Sequence, residues 1–117
     1  MTRHAVLVAT ARTPIGKAYR GSLNNTEVPS LAGFAIKAAI ERAGINAKEV
    51  EELTIGSALT QGSAGVNLAR HTVFASGLPE TVAASTVDRQ CASGLSAISI
   101  AANQITQEGV SVAVAGG

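Results

Sequence analysis

From Cys91 to Gln107 the sequence carries no charged residue. Ala92, Gly94, Leu95, Ala97, Ile98, Ile100, Ala101 and Ile105 leave no gap for a charged face, so a helix over this stretch has small or apolar groups all round. A surface helix keeps a polar face toward water, whereas one that lacks it is buried on every side. A single layer of 117 residues offers nothing to cover the far side of such a helix. The segment therefore calls for a second sheet-and-helix layer that this sequence does not contain.

The rest of the chain supplies the near side. Ala5–Thr10 is an almost continuous apolar run of strand length, as in a strand buried on both faces. Arg12 to Asn25, with Pro14, Gly16, Gly21 and Asn24-Asn25, has loop chemistry. Pro29-Ser30 opens a helix in which Leu31, Phe34, Ala35, Ala38 and Ala39 recur at helical spacing, and Gly44 closes it. Leu53–Ala58 predicts a second strand, and Asn67 caps a short helix that reaches Ala75 ahead of Gly77 and Pro79. Thr81–Val87 is a third strand, Cys91–Gln107 the uncharged helix, and Val110–Ala115 a fourth strand, expected to be central. Strands alternating with helices in this way make βαβ units and a parallel sheet. The chain stops at Gly116-Gly117, at the carboxyl end of that strand, where an α/β chain normally runs on into functional loops. It reads as an incomplete domain.

Composition narrows the function. Hydrophobic residues make up 46% and charged ones 15%, which is lightly charged against the roughly one quarter usual in soluble proteins. Nine basic and eight acidic residues are scattered for a formal net charge of +1, and there are only one Tyr and two Phe. Neither a basic stripe nor stacking platforms for nucleic acid exist in such a chain. Its apolar runs fall well short of the ~18–20 residues that cross a bilayer, so no membrane partner is expected. The start, with Arg3 and His4 before a short strand-like run, does not have the form of a secretory signal, and a cytoplasmic location is expected. One cysteine and two histidines, His4 and His71, cannot make a disulfide framework or a four-ligand zinc site. No bound metal or permanent cofactor is implied.

Cys91 is the residue that could carry chemistry. It follows the third strand after the turn Asp88-Arg89-Gln90 and opens the uncharged helix. A helix start offers unsatisfied backbone N–H groups and the positive end of the dipole, which favours an anion by about 0.3–2 kcal/mol. That is too little to activate a nucleophile alone, so a base is needed nearby. A lone cysteine is otherwise a small buried hydrophobe, and the strand–turn–helix position, with Gly94 one turn in, puts the two readings level.

The stretch Thr86-Val-Asp-Arg-Gln-Cys-Ala-Ser-Gly-Leu-Ser-Ala97 resembles the nucleophile segment of the thiolase family. Ala11-Arg-Thr-Pro-Ile-Gly-Lys17, Gly65-Val-Asn-Leu-Ala-Arg70 and Val114-Ala-Gly-Gly117 resemble the family in the same order and spacing, so the likeness covers essentially the whole chain. Ketoacyl synthases and hydroxymethylglutaryl-CoA synthases also place a cysteine at the start of a buried helix, but the Arg-Gln-Cys-Ala-Ser-Gly-Leu context is closer to thiolases. The resemblance implies an α/β fold in αβαβα layers, two similar halves packed back to back with their cysteine helices between them. This chain would supply the first βαβαβαβ part of the N-terminal half, residues 1–117. It also implies a homodimer or tetramer in which strand Ala83–Val87 lies at the two-fold interface. The implied activity is acyl transfer with coenzyme A and acyl-CoA as substrates, in fatty acid metabolism. By position, Cys91 would be the nucleophile that becomes the acyl-thioester, with its backbone N–H as an oxyanion donor.

In the family the base is a histidine of a Gly-His-Pro motif, an acid–base cysteine lies in a Cys-x-Gly-Gly motif, and an Asn-x-x-His-like segment adds oxyanion contacts. None of these, nor the loop domain that holds coenzyme A, occurs here. The remainder of a thiolase polypeptide is therefore the implied partner, and this segment alone is expected to be inactive. Two other readings are a non-catalytic thiolase-like structural or binding subunit and a ketoacyl synthase relative. Elsewhere, His4 and His71 read as structural or solvated, Gly62–Gly65 as a plain loop, and Glu51-Glu52 as a solvated strand entrance. Arg12 and Lys17 read as loop anchors. Asp88 stands where the motif commonly has Asn.

Overall fold

A computed structural model describes residues 2–117. Helix α1 spans Val28–Ala43, strand β1 Glu52–Gly56, helix α2 Leu68–Ala75 and strand β2 Ala83–Val87. Helix α3 spans Ser93–Asn103, continues as a π-helical turn over Gln104–Glu108, and is followed by strand β3, Ala113–Gly116. The three strands are parallel in the order β2-β1-β3, with Leu53 beside Ala84 and Val114. Among the described residues no helix is long and apolar enough to cross a membrane.

Local chemistry sets the helix ends. α1 begins with Pro29 in its first turn, where the missing N–H is no loss, and carries Arg42 in its last turn. It ends at Gly44, whose φ of 68° is the left-handed cap that glycine adopts without steric cost. Its N-terminus borrows a partner from the glycine-rich loop, since the Val28 N–H donates to Ser63 Oγ at 3.2 Å. α2 begins after Asn67, as its sequence signal predicts, with the Asn67 side chain accepting the Arg70 N–H.

The sheet divides the chain into two faces. Leu53 and Ile55 point to one side, where Ile36, Val50, Leu68, Ala69, Val73, Leu78 and Val82 bury a continuous aliphatic core under α1 and α2. A fully buried side chain of this size contributes about 1.5–3 kcal/mol. Alternation along β1 sends Thr54 and Gly56 to the other side, where α3 lies against β1 and β3. That face is made of small groups. Ala97 is fully buried, Ala101 and Ser93 nearly so, and a Cβ added to Gly56 would land on the Ser93 carbonyl.

Two expectations need correction. Ala5–Thr10 forms no strand, and Val6, Leu7 and Val8 are 70–79% exposed. An apolar run announces that both faces of a strand can be buried, but pairing needs a neighbouring ladder, and among the described residues none lies beside it. The segment is tied instead by two arginines, Arg3 donating to the Val110 carbonyl at 2.9 Å and Arg42 to the Thr10 carbonyl at 2.8 Å. Thus three of the four expected strands build the sheet. The last of them, β3, lies at its edge rather than its centre, because β1 pairs with both others. Helix α3 is buried on one side only, as expected of a chain without the second layer. Leu95 is 74% exposed and Ile98 37%, which marks the face that the sequence reading assigns to a second layer.

Candidate active site

The carboxyl ends of β1, β2 and β3 meet the first turn of α3. β2 ends at Val87, and the chain turns through Asp88, Arg89 and Gln90 to an exposed Cys91. Gln90 has φ of 53°, a left-handed conformation uncommon outside glycine. The Asp88 carboxylate holds it by accepting the Gln90 N–H at 2.8 Å. The Ala92 N–H then donates to the Arg89 carbonyl and the Ser93 N–H to the Gln90 carbonyl, each at 3.1 Å. The Cys91 N–H is not among the donors this turn consumes.

Regular helix begins at Ser93, two residues later than the sequence reading placed it, with Ala92 at the cap. The tight turn uses the residues around Cys91 before helical geometry can start. Consequently Cys91 stands just ahead of the helix, one residue before its cap.

Glycines let three backbones converge here. Gly56 faces the Ser93 backbone, and a Cβ on Gly117 would sit 2.6 Å from the Gly56 carbonyl oxygen and 2.9 Å from the Gly94 Cα. The start of α3 is thereby wedged between the ends of β1 and β3. The Ser57 N–H ties the end of β1 to the Val87 carbonyl of β2 at 3.0 Å.

The other sequence candidates lie apart from this turn. His71 lines an open cavity of about 430 Å³ with Glu27, Pro29, Ser30 and the Gly62–Gly65 loop. His4 lines a groove of about 200 Å³ with Val6, Val8, Ile105 and Val112. Arg12 and Lys17 have exposed side chains.

Two polar contacts have no counterpart in the sequence reading, the link from Asn67 to Thr86 and the bonds of Ser93. Asn67, itself at φ of 57°, accepts a hydrogen bond from Thr86 Oγ1 at 2.9 Å and donates to the Ala84 carbonyl at 3.2 Å. Thr86 Oγ1 in turn accepts the Ala69 N–H at 3.0 Å, so the start of α2 is bolted to the last residues of β2. Ser93 is the second, buried inside the turn that carries Cys91. A serine two positions after the cysteine was its only sequence signal, through the tendency of serine to bond backbone three and four residues back.

Fold and turn together define a parallel α/β layer that offers one thiol at the carboxyl ends of its strands, where such sheets place their ligands. Residues 5–117 match the model of the N-terminal domain of thiolase. The chain is 45% identical over 112 residues to an acetyl-CoA acetyltransferase of Cupriavidus necator, covering 96% of this chain and 28% of that protein. It is 41% identical over 115 residues to a 3-ketoacyl-CoA thiolase of Bacillus subtilis, covering 98% and 29%. The crystal structure of the Bacillus anthracis acetyl-CoA acetyltransferase superimposes with a TM-score of 0.91 at 38% identity, over 99% of this chain and 29% of that one. The chain belongs to the thiolase family and has the corresponding part of the thiolase fold. It spans less than a third of the length of these relatives.

Proposed function

We propose that this chain is the nucleophile-bearing N-terminal part of a thiolase, an acyl-CoA C-acyltransferase that works by cysteine acylation. The observation that carries this reading is an exposed Cys91 on a braced turn at the sheet's carboxyl edge, in a chain of this family. The Cys91 thiolate adds to the keto carbon of a 3-ketoacyl-CoA, with the carbonyl oxygen taking negative charge toward the Cys91 N–H. As the carbonyl reforms, the bond between the keto carbon and the neighbouring CH₂ breaks, and acetyl-CoA leaves with a proton added at carbon. The thiol of a second coenzyme A then attacks the Cys91 thioester, gives up its proton and carries away the shortened acyl group, returning Cys91 as thiolate. The reverse sequence condenses two acyl-CoA molecules.

The proton transfers need a base and an acid, which we assign to a histidine and a second cysteine in the remainder of the polypeptide. The uncharged outer face of α3, with Leu95 and Ile98, is where that remainder packs. We place the enzyme in the cytoplasm, as a homodimer or tetramer, where a single unpaired thiol stays reduced.

The test is half-reaction exchange in the full-length polypeptide that carries this chain. Labelled coenzyme A is expected to exchange into acetyl-CoA with no second acyl acceptor present, since acylation of the enzyme is a separate step. Cys91→Ser is expected to lower the exchange rate at least 1000-fold. Exchange that survives in the variant, or that requires a second acyl group in the wild type, overturns the reading.

A further inference from the structure

We propose that Ser93 is a positioning residue that aims the backbone N–H of Cys91 at the reacting oxygen. This rests on the reading of Cys91 as nucleophile and oxyanion donor. Ser93 is buried to 4% exposure, and its hydroxyl both donates and accepts inside the turn. Oγ accepts the Arg89 N–H at 2.8 Å and donates to the Gln90 carbonyl at 2.6 Å. The Ser93 N–H donates to that same carbonyl at 3.1 Å.

The Gln90 carbonyl and the Cys91 N–H belong to one peptide group. A peptide is planar and trans, so its C=O and N–H point in opposite directions. Fixing the carbonyl toward the helix with two hydrogen bonds therefore fixes the Cys91 N–H in the opposite direction, away from the helix. Bonds to the carbonyl oxygen also polarise the amide and strengthen its N–H as a donor, by about 10–30% per bond. The left-handed Gln90 makes this hold necessary, because an unbraced turn has more relaxed orientations for the following peptide. Asp88 braces the preceding peptide through the Gln90 N–H, which leaves the Gln90–Cys91 peptide to Ser93.

An oxyanion donor acts most strongly in the transition state, so misaiming it lowers kcat and leaves KM nearly unchanged. Removing such a donor outright costs about 100- to 1000-fold. Losing the group that aims it is expected to cost about tenfold. The experiment compares wild type, Ser93→Ala and Ser93→Thr in the full-length polypeptide. Thiolysis of acetoacetyl-CoA gives kcat and KM. Infrared difference spectra with ¹³C-acetyl-CoA give the carbonyl stretch of the acetyl group on Cys91, a band that arises only from folded, acylated molecules.

Ser93→Ala is expected to lower kcat about tenfold with KM within twofold and to move the carbonyl band to higher wavenumber, as a hydrogen bond to the carbonyl weakens. Ser93→Thr, which keeps the hydroxyl, is expected to restore the wild-type band. A Ser93→Ala enzyme with wild-type kcat and an unmoved band refutes the positioning role while Cys91 remains the nucleophile. So does a variant whose melting temperature falls while its acylated fraction keeps the wild-type band. A wild type that takes no acetyl on Cys91 overturns instead the reading on which this rests.

Discussion

On one face of the sheet Leu53, Ile55, Leu68, Val73 and Val82 fill a core with large aliphatic side chains, while on the other Thr54, Gly56, Ser93, Ala97 and Ala101 bring backbones close together. Both faces are buried, but they do different work. The aliphatic face removes most apolar surface from water and is where stability concentrates. The small-residue face has little area to bury and much precision to lose, because a methyl group there meets backbone rather than a movable side chain. Cys91 stands at the edge of the second face, so its placement depends on close approach more than on hydrophobic burial.

The largest expected effect comes from putting a charge on the small-residue face. Ala101 is 7% exposed and packs toward the sheet, and an uncompensated buried carboxylate there costs several kcal/mol, against a total domain stability of about 5–15 kcal/mol. Ala101→Asp in the full-length polypeptide is expected to abolish soluble expression, whereas Lys48→Asp, at an exposed position, leaves the yield unchanged. Equal yields and melting temperatures would show that α3 is not packed there.

Leu53→Ala and Gly56→Ala then separate the two faces directly, being three residues apart on one strand. Leu53 is fully buried, and its truncation is expected to cost about 2–5 kcal/mol in denaturant unfolding with little change in kcat of the folded enzyme. Gly56→Ala forces the Ser93 backbone to shift and is expected to cost about 1–3 kcal/mol, but with kcat falling at least tenfold as the Cys91 turn moves. If both variants lose stability and kcat in the same proportion, the two faces are one cooperative unit and the distinction fails.

A smaller effect is expected from Thr86→Val. It keeps the shape of the side chain but removes the hydroxyl that joins Asn67 to the Ala69 N–H. Leaving that amide without a partner costs about 1–3 kcal/mol. Hydrogen exchange at the first turn of α2 is expected to rise, with the β2 ladder less affected. Unchanged protection there would remove the bolt between α2 and β2 from the account.

Much of the architecture is legible in local sequence signals. Pro29 and Gly44 bound α1, Asn67 starts α2, and the parallel order follows from helices alternating with strands, because each of these depends on neighbours a few residues away. Ala5–Thr10 misleads because strand pairing is decided by a distant ladder and not by the run itself. The uncharged helix was readable, but not the residue at which it starts, since the hydrogen bonds of Asp88 and Ser93 delay it past Cys91. Cys91 stands out in the motif as the candidate nucleophile. Ser93 and the Asn67–Thr86 pair do not stand out, as their roles lie in which carbonyl or amide each side chain meets once the chain is folded.

Peptide mapping of the acyl-enzyme tests the central claim most directly. The full-length polypeptide is mixed with acetyl-CoA, quenched in acid within the first turnover and digested, and the acetyl group is located by mass spectrometry. The account predicts one acetyl thioester in this chain, on Cys91, lost when coenzyme A is added before the quench. An acetyl group on any other residue of the chain, or an enzyme that turns over at full rate with Cys91 replaced by serine, would contradict it.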